Sequence, residues 1–228
     1  MRNGMDVSTR SWWLAGRRFS IAEMVADGIV HGVGIVAGLA VGALVLALVI
    51  LKTAPAEAPA FAIYLVSLVA VLSISMAYNL WPVSPIKSVL ARFDQAAIFL
   101  FIAGTYTPFL AVLGGSPVAS IMMVLVWSAS LVGIALKLIV PERFGRLAIL
   151  LYLAIGWSGV LVFHELAATL PPAAIYLLVA GGIVYSVGIV FHLWERLRFQ
   201  TALWHGSVVI AALLHLAAIV DCLVISRL

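Results

Sequence analysis

Apolar runs long enough to cross a bilayer recur seven times along this chain, and no other feature constrains its fold as tightly. A span takes about 20 predominantly apolar residues, because a helix rises about 1.5 Å per residue through a hydrocarbon core about 30 Å thick. The runs fall at 24–51, 58–81, 93–113, 117–139, 147–164, 172–193 and 203–226. Of the 228 residues, 65% are hydrophobic and 10% charged, where a soluble domain has about 45–50% and about 25%. Such a chain cannot cover a globular surface with polar groups, nor stay disordered in water. The runs are continuous rather than alternating, which excludes an outer-membrane barrel. The fold class is therefore all-α: a polytopic membrane protein of seven transmembrane helices, with 1–22 as a tail and 23–228 as one membrane domain. Turn residues punctuate it: Pro55 and Pro59, Pro82 and Pro85, Gly114, Gly115 and Pro117, then Pro171 and Pro172.

Orientation follows from the cations, which are retained on the cytoplasmic side. Arg2, Arg10, Arg17, Arg18, Lys87, Arg92, Lys137, Arg143, Arg146, Arg196 and Arg198 fall on one side, and only Lys52 and Arg227 on the other. Eleven against two predicts an N-in, C-out, multi-pass protein. Trp12 and Trp13 suit the inner interface, and Arg10, Arg17 and Arg18 would favour anionic headgroups. The first run is too long for a signal-peptide core. The +4 net charge is spread over short loops, so no nucleic-acid partner is expected; membrane lipids are. Apolar outer faces suit either a monomer or a homo-oligomer, and no soluble partner is evident. The single cysteine, Cys222, excludes a disulfide framework and a cysteine zinc site.

Ionisable groups inside spans are costly and usually face the bundle interior. Glu23, Asp27 and His31 are spaced by four and form one stripe at the start of the first helix, continued by Gly34, Gly38 and Gly42. Glycines at this spacing suit close helix packing, and the acidic pair suits a helix N-terminus. The second helix ends with Ser75, Tyr78 and Asn79; the third begins with Asp94; the last begins with Thr201 and His205. His31, Asn79, Asp94 and His205 thus come from four helices at similar depth, which predicts a polar pocket in the cytoplasmic half. His215 lies near the midplane, as a second inward group or a packing residue.

At these residues the sequence resembles the hemolysin III branch of the PAQR family, the progestin and adiponectin receptor relatives. The resemblance rests on E-M-V-A-D-G-I-V-H at 23–31, S-M-A-Y-N at 75–79 and F-D-Q-A-A-I-F-L-F-I-A-G-T-Y-T-P at 93–108. Further along come I-G-W at 155–157, G-G-I-V-Y-S-V-G at 181–188 and W-H-G-S-V-V at 204–209. It implies residence in a bacterial-type cytoplasmic (inner) membrane and an inner-side zinc site. It would place zinc-ligating histidines at 79, 201 and 205, with Asp94 and Ser75 beside them as catalytic groups. Here Asn79 and Thr201 occupy two of the three positions, leaving His205. Three protein ligands are usual for a catalytic zinc, so the family site reads as degenerate. A substitute set of His31, Asp94 and His205 is the remaining route to zinc.

The resemblance implies a part in membrane lipid homeostasis, using the pocket. One alternative is a zinc-dependent lipid amidohydrolase, in which the metal would polarise a carbonyl and activate water. Another is a cytolytic pore, which requires polar lining along its whole length. A third is a receptor for a lipid entering sideways.

Overall fold

The computed structural model describes residues 12–14, 17–53, 57–140 and 145–227. Arg2, Arg10, Pro55 and Arg143 lie outside them, as do the side chains of Trp12, Trp13, Arg17, Arg18, Lys52 and Arg146. Two three-residue strands, β1 (Trp12–Leu14) and β2 (Arg17–Phe19), pair antiparallel with Trp12 opposite Phe19. All other regular structure among the described residues is helical. It comprises α1 (Ile21–Lys52), α2 (Glu57–Leu80), α3 (Pro85–Val112), α4 (Pro117–Ile139), α5 (Gly145–Gly156), α6 (Phe163–Thr169), α7 (Pro172–Leu193) and α8 (Gln200–Leu223). Among the described residues, seven spans are long and apolar enough to cross a membrane, α5 and α6 together forming the fifth.

The helix starts are written locally. Ser20 caps α1: its hydroxyl accepts the Glu23 amide at 3.3 Å, and Glu23 Oε2 accepts the Ser20 amide at 2.9 Å. Ser84 and Ser116 cap α3 and α4, each followed by proline at the first helical position, where a missing N–H costs nothing. The third span begins at Pro85, earlier than the apolar run at 93. Lys87 explains the difference. Its Nζ donates to the Trp81 carbonyl at 2.8 Å and the Asn79 carbonyl at 3.3 Å, closing the end of α2. The charge serves a helix terminus, so the helix carries it without loss.

The fifth span is a correction to the sequence reading. Instead of one helix over 147–164, α5 stops at Gly156, a 3₁₀ turn runs Ser158–Val162, and α6 continues to Thr169. Backbone groups freed inside lipid must find partners within the protein. Tyr106 on α3 supplies them. Its hydroxyl donates to the Ile155 and Gly156 carbonyls at 3.0 and 2.8 Å and accepts the Gly159 amide at 2.7 Å. Ser158 Oγ donates to the Ile155 carbonyl at 2.7 Å.

The spans pack in chain order around a ring that closes where α8 meets α1, and α3 reaches inward to touch α8. Lipid tails are as apolar as leucine, so helix association rests on close packing and interhelical hydrogen bonds. Gly34 faces Leu72 and Val209, Gly38 faces Leu68, and Gly42 faces Leu65, so the glycine stripe is the seam of α1 against α2 and α8. Phe61, Tyr64, Phe99, Phe101 and Ile219 fill the interior, and Tyr64 donates its hydroxyl to the Ala212 carbonyl at 2.8 Å. At the far end Arg227 pairs bidentately with Glu57, at 2.7 and 2.9 Å, holding the chain after α8 to the start of α2.

Tyr106→Phe leaves the break in the fifth span with unpartnered backbone groups, each costing on the order of 1–3 kcal/mol. Its thermal midpoint in detergent is expected to fall clearly, whereas Tyr176→Phe, on a side chain that is 76% exposed, should leave it unchanged.

A buried polar centre joining the first and last helices

The functional candidates assemble near the ends of helices that start or finish at one face of the bundle. Asp27 and His31 sit on α1, Ser75 and Asn79 on the last turns of α2, and His205 on the second turn of α8. All five are buried; Asp27 is 2% exposed and His31 fully enclosed.

His205 is the hub. Its Nδ1 lies 2.6 Å from Asp27 Oδ1, and its Nε2 lies 3.2 Å from Ser75 Oγ. A carboxylate only accepts, so the neutral ring carries its hydrogen on Nδ1 and presents the Nε2 lone pair to the serine hydroxyl. Asn79 Nδ2 donates to the Ser75 carbonyl at 2.9 Å and approaches Ser75 Oγ at 3.3 Å. His31 packs its ring against His205, centroids 4.3 Å apart, and its Nδ1 donates to the Asp27 carbonyl at 2.9 Å. That leaves His31 Nε2 buried without a hydrogen-bond partner. Asp94, half-buried on α3, lies within electrostatic reach of His205 and Asp27 and beside Ser75.

Other residues singled out from the sequence have different places. Glu23 belongs to the scaffold: besides capping α1, its Oε1 accepts the Phe199 amide at 3.0 Å. Phe199 has a left-handed backbone, φ 58°, a conformation that costs a non-glycine residue roughly 1–2 kcal/mol. The bond across the bundle helps hold it there and fixes where α8 begins. Tyr78 lies under Lys87 Nζ, 5.3 Å from its ring centroid. Thr201 is half-buried, one turn before His205. His215 is ten residues further along α8, about 15 Å away. Its Nε2 meets the Leu178 carbonyl at 3.2 Å, and it lines a separate, mainly apolar cavity of about 130 Å³ beside Tyr106 and Trp157.

The three positions at which the resemblance implies zinc ligands do not make a metal site. Asn79 turns its amide nitrogen to Ser75, and Thr201 offers a neutral hydroxyl. The substitute set also differs from the sequence expectation: Asp27, rather than Asp94, joins His31 and His205 as a candidate metal site. One ligand atom from each of the three lies within 4.8 Å of the others. The reason is geometric, since Asp27 shares the α1 stripe with His31 and that stripe faces α8. By type, two imidazoles and a carboxylate suit zinc. By geometry, Asp27 and His205 are already joined at 2.6 Å. Two ligands on one tetrahedral zinc, with bonds of about 2.0–2.1 Å, stand roughly 3.3 Å apart, so a metal would have to displace the shared hydrogen.

The profile of a family described as Haemolysin-III related matches residues 19–216. A "Hemolysin-3 homolog" of Bacillus subtilis (strain 168) is 34% identical over 83% of this chain and 89% of its own length. A "Hemolysin-3" of Bacillus cereus is 34% identical over 81% of this chain and 84% of its own. The human "Monocyte to macrophage differentiation factor" is 29% identical over 69% and 67%. No solved structure shows a significant match.

Removing one partner of a buried hydrogen bond strands the other, at a cost on the order of 1–3 kcal/mol and more where the stranded group is charged. Asp27→Ala is therefore expected to destabilise the protein in mixed micelles well beyond Asp221→Ala. The Asp27→Ala/His205→Phe double variant should lose less than the sum of its singles, and denaturant titration of the four proteins checks this.

Proposed function

The chain belongs to the haemolysin III-related family of multi-pass membrane proteins, within the PAQR superfamily, and from that footing we propose that it senses or adjusts the lipid state of a bacterial-type cytoplasmic membrane. The buried centre of Asp27, His205 and Ser75 is its working part. The observation that carries this reading is the burial itself. Three polar side chains from three helices, each less than a tenth exposed, bond to one another near the rim of an apolar bundle. Polar groups so placed in a membrane are expensive and ordinarily mark function. The charge bias of the connecting segments supports N-in topology, which puts the centre in the cytoplasmic half.

The same geometry favours a centre that works without zinc, because the Asp27 carboxylate and His205 imidazole already satisfy each other. A pore gains no support. Toward the opposite end the interior holds Phe61, Phe101, Phe109 and Ile219, where conduction would need polar lining.

The test is a deletion strain complemented with the wild-type gene or with Asp27→Ala or His205→Ala variants of matched abundance. Membrane lipid composition and order should change on deletion and be restored by the wild type alone. Full restoration by both variants would remove the centre from the function. Elemental analysis of protein purified without chelators or a His tag should find metal well below one per chain. Stoichiometric zinc lost in His31→Ala and His205→Ala would instead establish the metal-dependent reading.

A further inference from the structure

Ser75 behaves unlike five other buried or half-buried helical hydroxyls here. Ser67, Thr105, Thr107, Ser186 and Ser207 each turn their hydroxyl back onto a carbonyl of their own helix, at 2.8–2.9 Å, the usual way such groups are satisfied in apolar surroundings. Ser75 Oγ instead lies across the helix interface from His205 Nε2, at 3.2 Å. On its other nitrogen that imidazole is held by Asp27, at 2.6 Å. A hydroxyl, an imidazole on its oxygen and a carboxylate on the far ring nitrogen form the nucleophile, base and orienting group of acyl-transfer enzymes, which are recognised by geometry rather than by sequence order.

We infer that Ser75, His205 and Asp27 form a nucleophilic serine centre that hydrolyses carboxylic esters of membrane lipids. The substrate class rests on the lipid reading above; the chemistry rests on the three side chains alone. Ser75 and His205 are the catalytic residues and Asp27 is a positioning residue. Ser75 Oγ forms a bond to the ester carbonyl carbon while its hydrogen passes to His205 Nε2. The carbonyl oxygen takes the electron pair and becomes the oxyanion. The amide nitrogen of Asn79, 3.3 Å from Ser75 Oγ, is the donor placed to meet it. The intermediate collapses, the C–O bond to the lipid alcohol breaks, and the alkoxide takes the hydrogen from His205. Water then attacks the acyl-serine with His205 again accepting and returning a proton, releasing the fatty acid and restoring Ser75. Throughout, Asp27 keeps the ring hydrogen on Nδ1, and Asp94 adds a second carboxylate near the imidazolium that forms transiently.

Depth suits an acyl linkage near the headgroups. Ser75 is five residues from the end of α2 at Leu80, His205 five from the start of α8 at Gln200, and Asp27 six from the start of α1 at Ile21. At about 1.5 Å per residue the centre lies roughly 7–9 Å inside the helix ends. The acyl ester linkages of glycerolipids lie between headgroups and hydrocarbon, a level that a centre one to two turns inside the ends of membrane-spanning helices can reach.

The test uses full-length protein in phosphatidylethanolamine and phosphatidylglycerol vesicles, with a fluorophosphonate that modifies activated serines and a fluorogenic glycerolipid ester as probes. Mass spectrometry is expected to find the adduct on Ser75. Ser75→Ala should abolish both adduct and ester cleavage, while His205→Gln and Asp27→Asn slow both by about 100-fold or more. A metal chelator should change neither rate. Thermal midpoints identify any variant that fails to fold; Ser75→Ala removes one oxygen, and the wild-type adduct site needs no variant. No adduct on Ser75, labelling of His205→Gln at the wild-type rate, or ester cleavage abolished by the chelator each overturns the proposal. If Ser75 does not label but the lipid changes in the deletion strain still require His205, the serine chemistry fails and the lipid role stands. If Ser75 labels and cleaves ester while deletion leaves lipids unaltered, the chemistry stands and the lipid role fails.

Discussion

The contact between Asp27 and His205 is the interaction on which the rest of the arrangement depends. A carboxylate and an imidazole held between helices in a medium of low polarity are each expensive alone and affordable only together. The pair therefore acts as a lock on the geometry around it. It sets how α1 lies against α8, and the glycine stripe of α1 lets the helices come close enough for the bond to form. Ser75 meets the free face of His205 only when α2 also lies against this pair. Above the lock, Glu23 ties the first turn of α1 to the residue before α8. Two cross-bundle contacts, one helical turn apart on α1, thus fix both the angle and the register of the last helix.

Much of this was legible in the sequence because bilayer thickness imposes a simple ruler. Seven apolar runs become seven spans, and the proline and glycine breaks fall where chains turn. The stripe of Glu23, Asp27 and His31 was legible from helical spacing alone, as was the similar depth of His31, Asn79, Asp94 and His205 on their four helices. Hydropathy did not show the break after Gly156. Residues 156–162 are apolar or small whether helical or not, and the cause lies on another helix, in the Tyr106 hydroxyl. Nor could spacing show which carboxylate would meet His205. That depends on which helices are neighbours, and the ring closes by placing α1 beside α8. A polar stripe on the first helix and a histidine near the start of the last were the only signals for that pairing.

The departure from the pattern implied by the resemblance also has a physical consequence. With Asn79 and Thr201 at two of the implied metal positions, His205 would stand as a lone imidazole in an apolar bundle. Asp27 gives its Nδ1 an acceptor and Ser75 gives its Nε2 a hydroxyl. The remaining exception is His31 Nε2, a buried acceptor without a donor, beside a group of residues otherwise satisfied by one another.

The pairing of Asp27 with His205 joins residues 178 positions apart in the chain. A membrane protein is threaded into the bilayer from its first span to its last, so α1 must wait in lipid with a carboxylate and an imidazole exposed until α8 arrives. Until then no partial product of synthesis contains the centre. Completion of the bundle and completion of the centre are the same event, and a chain stalled or cleaved before its seventh span lacks both.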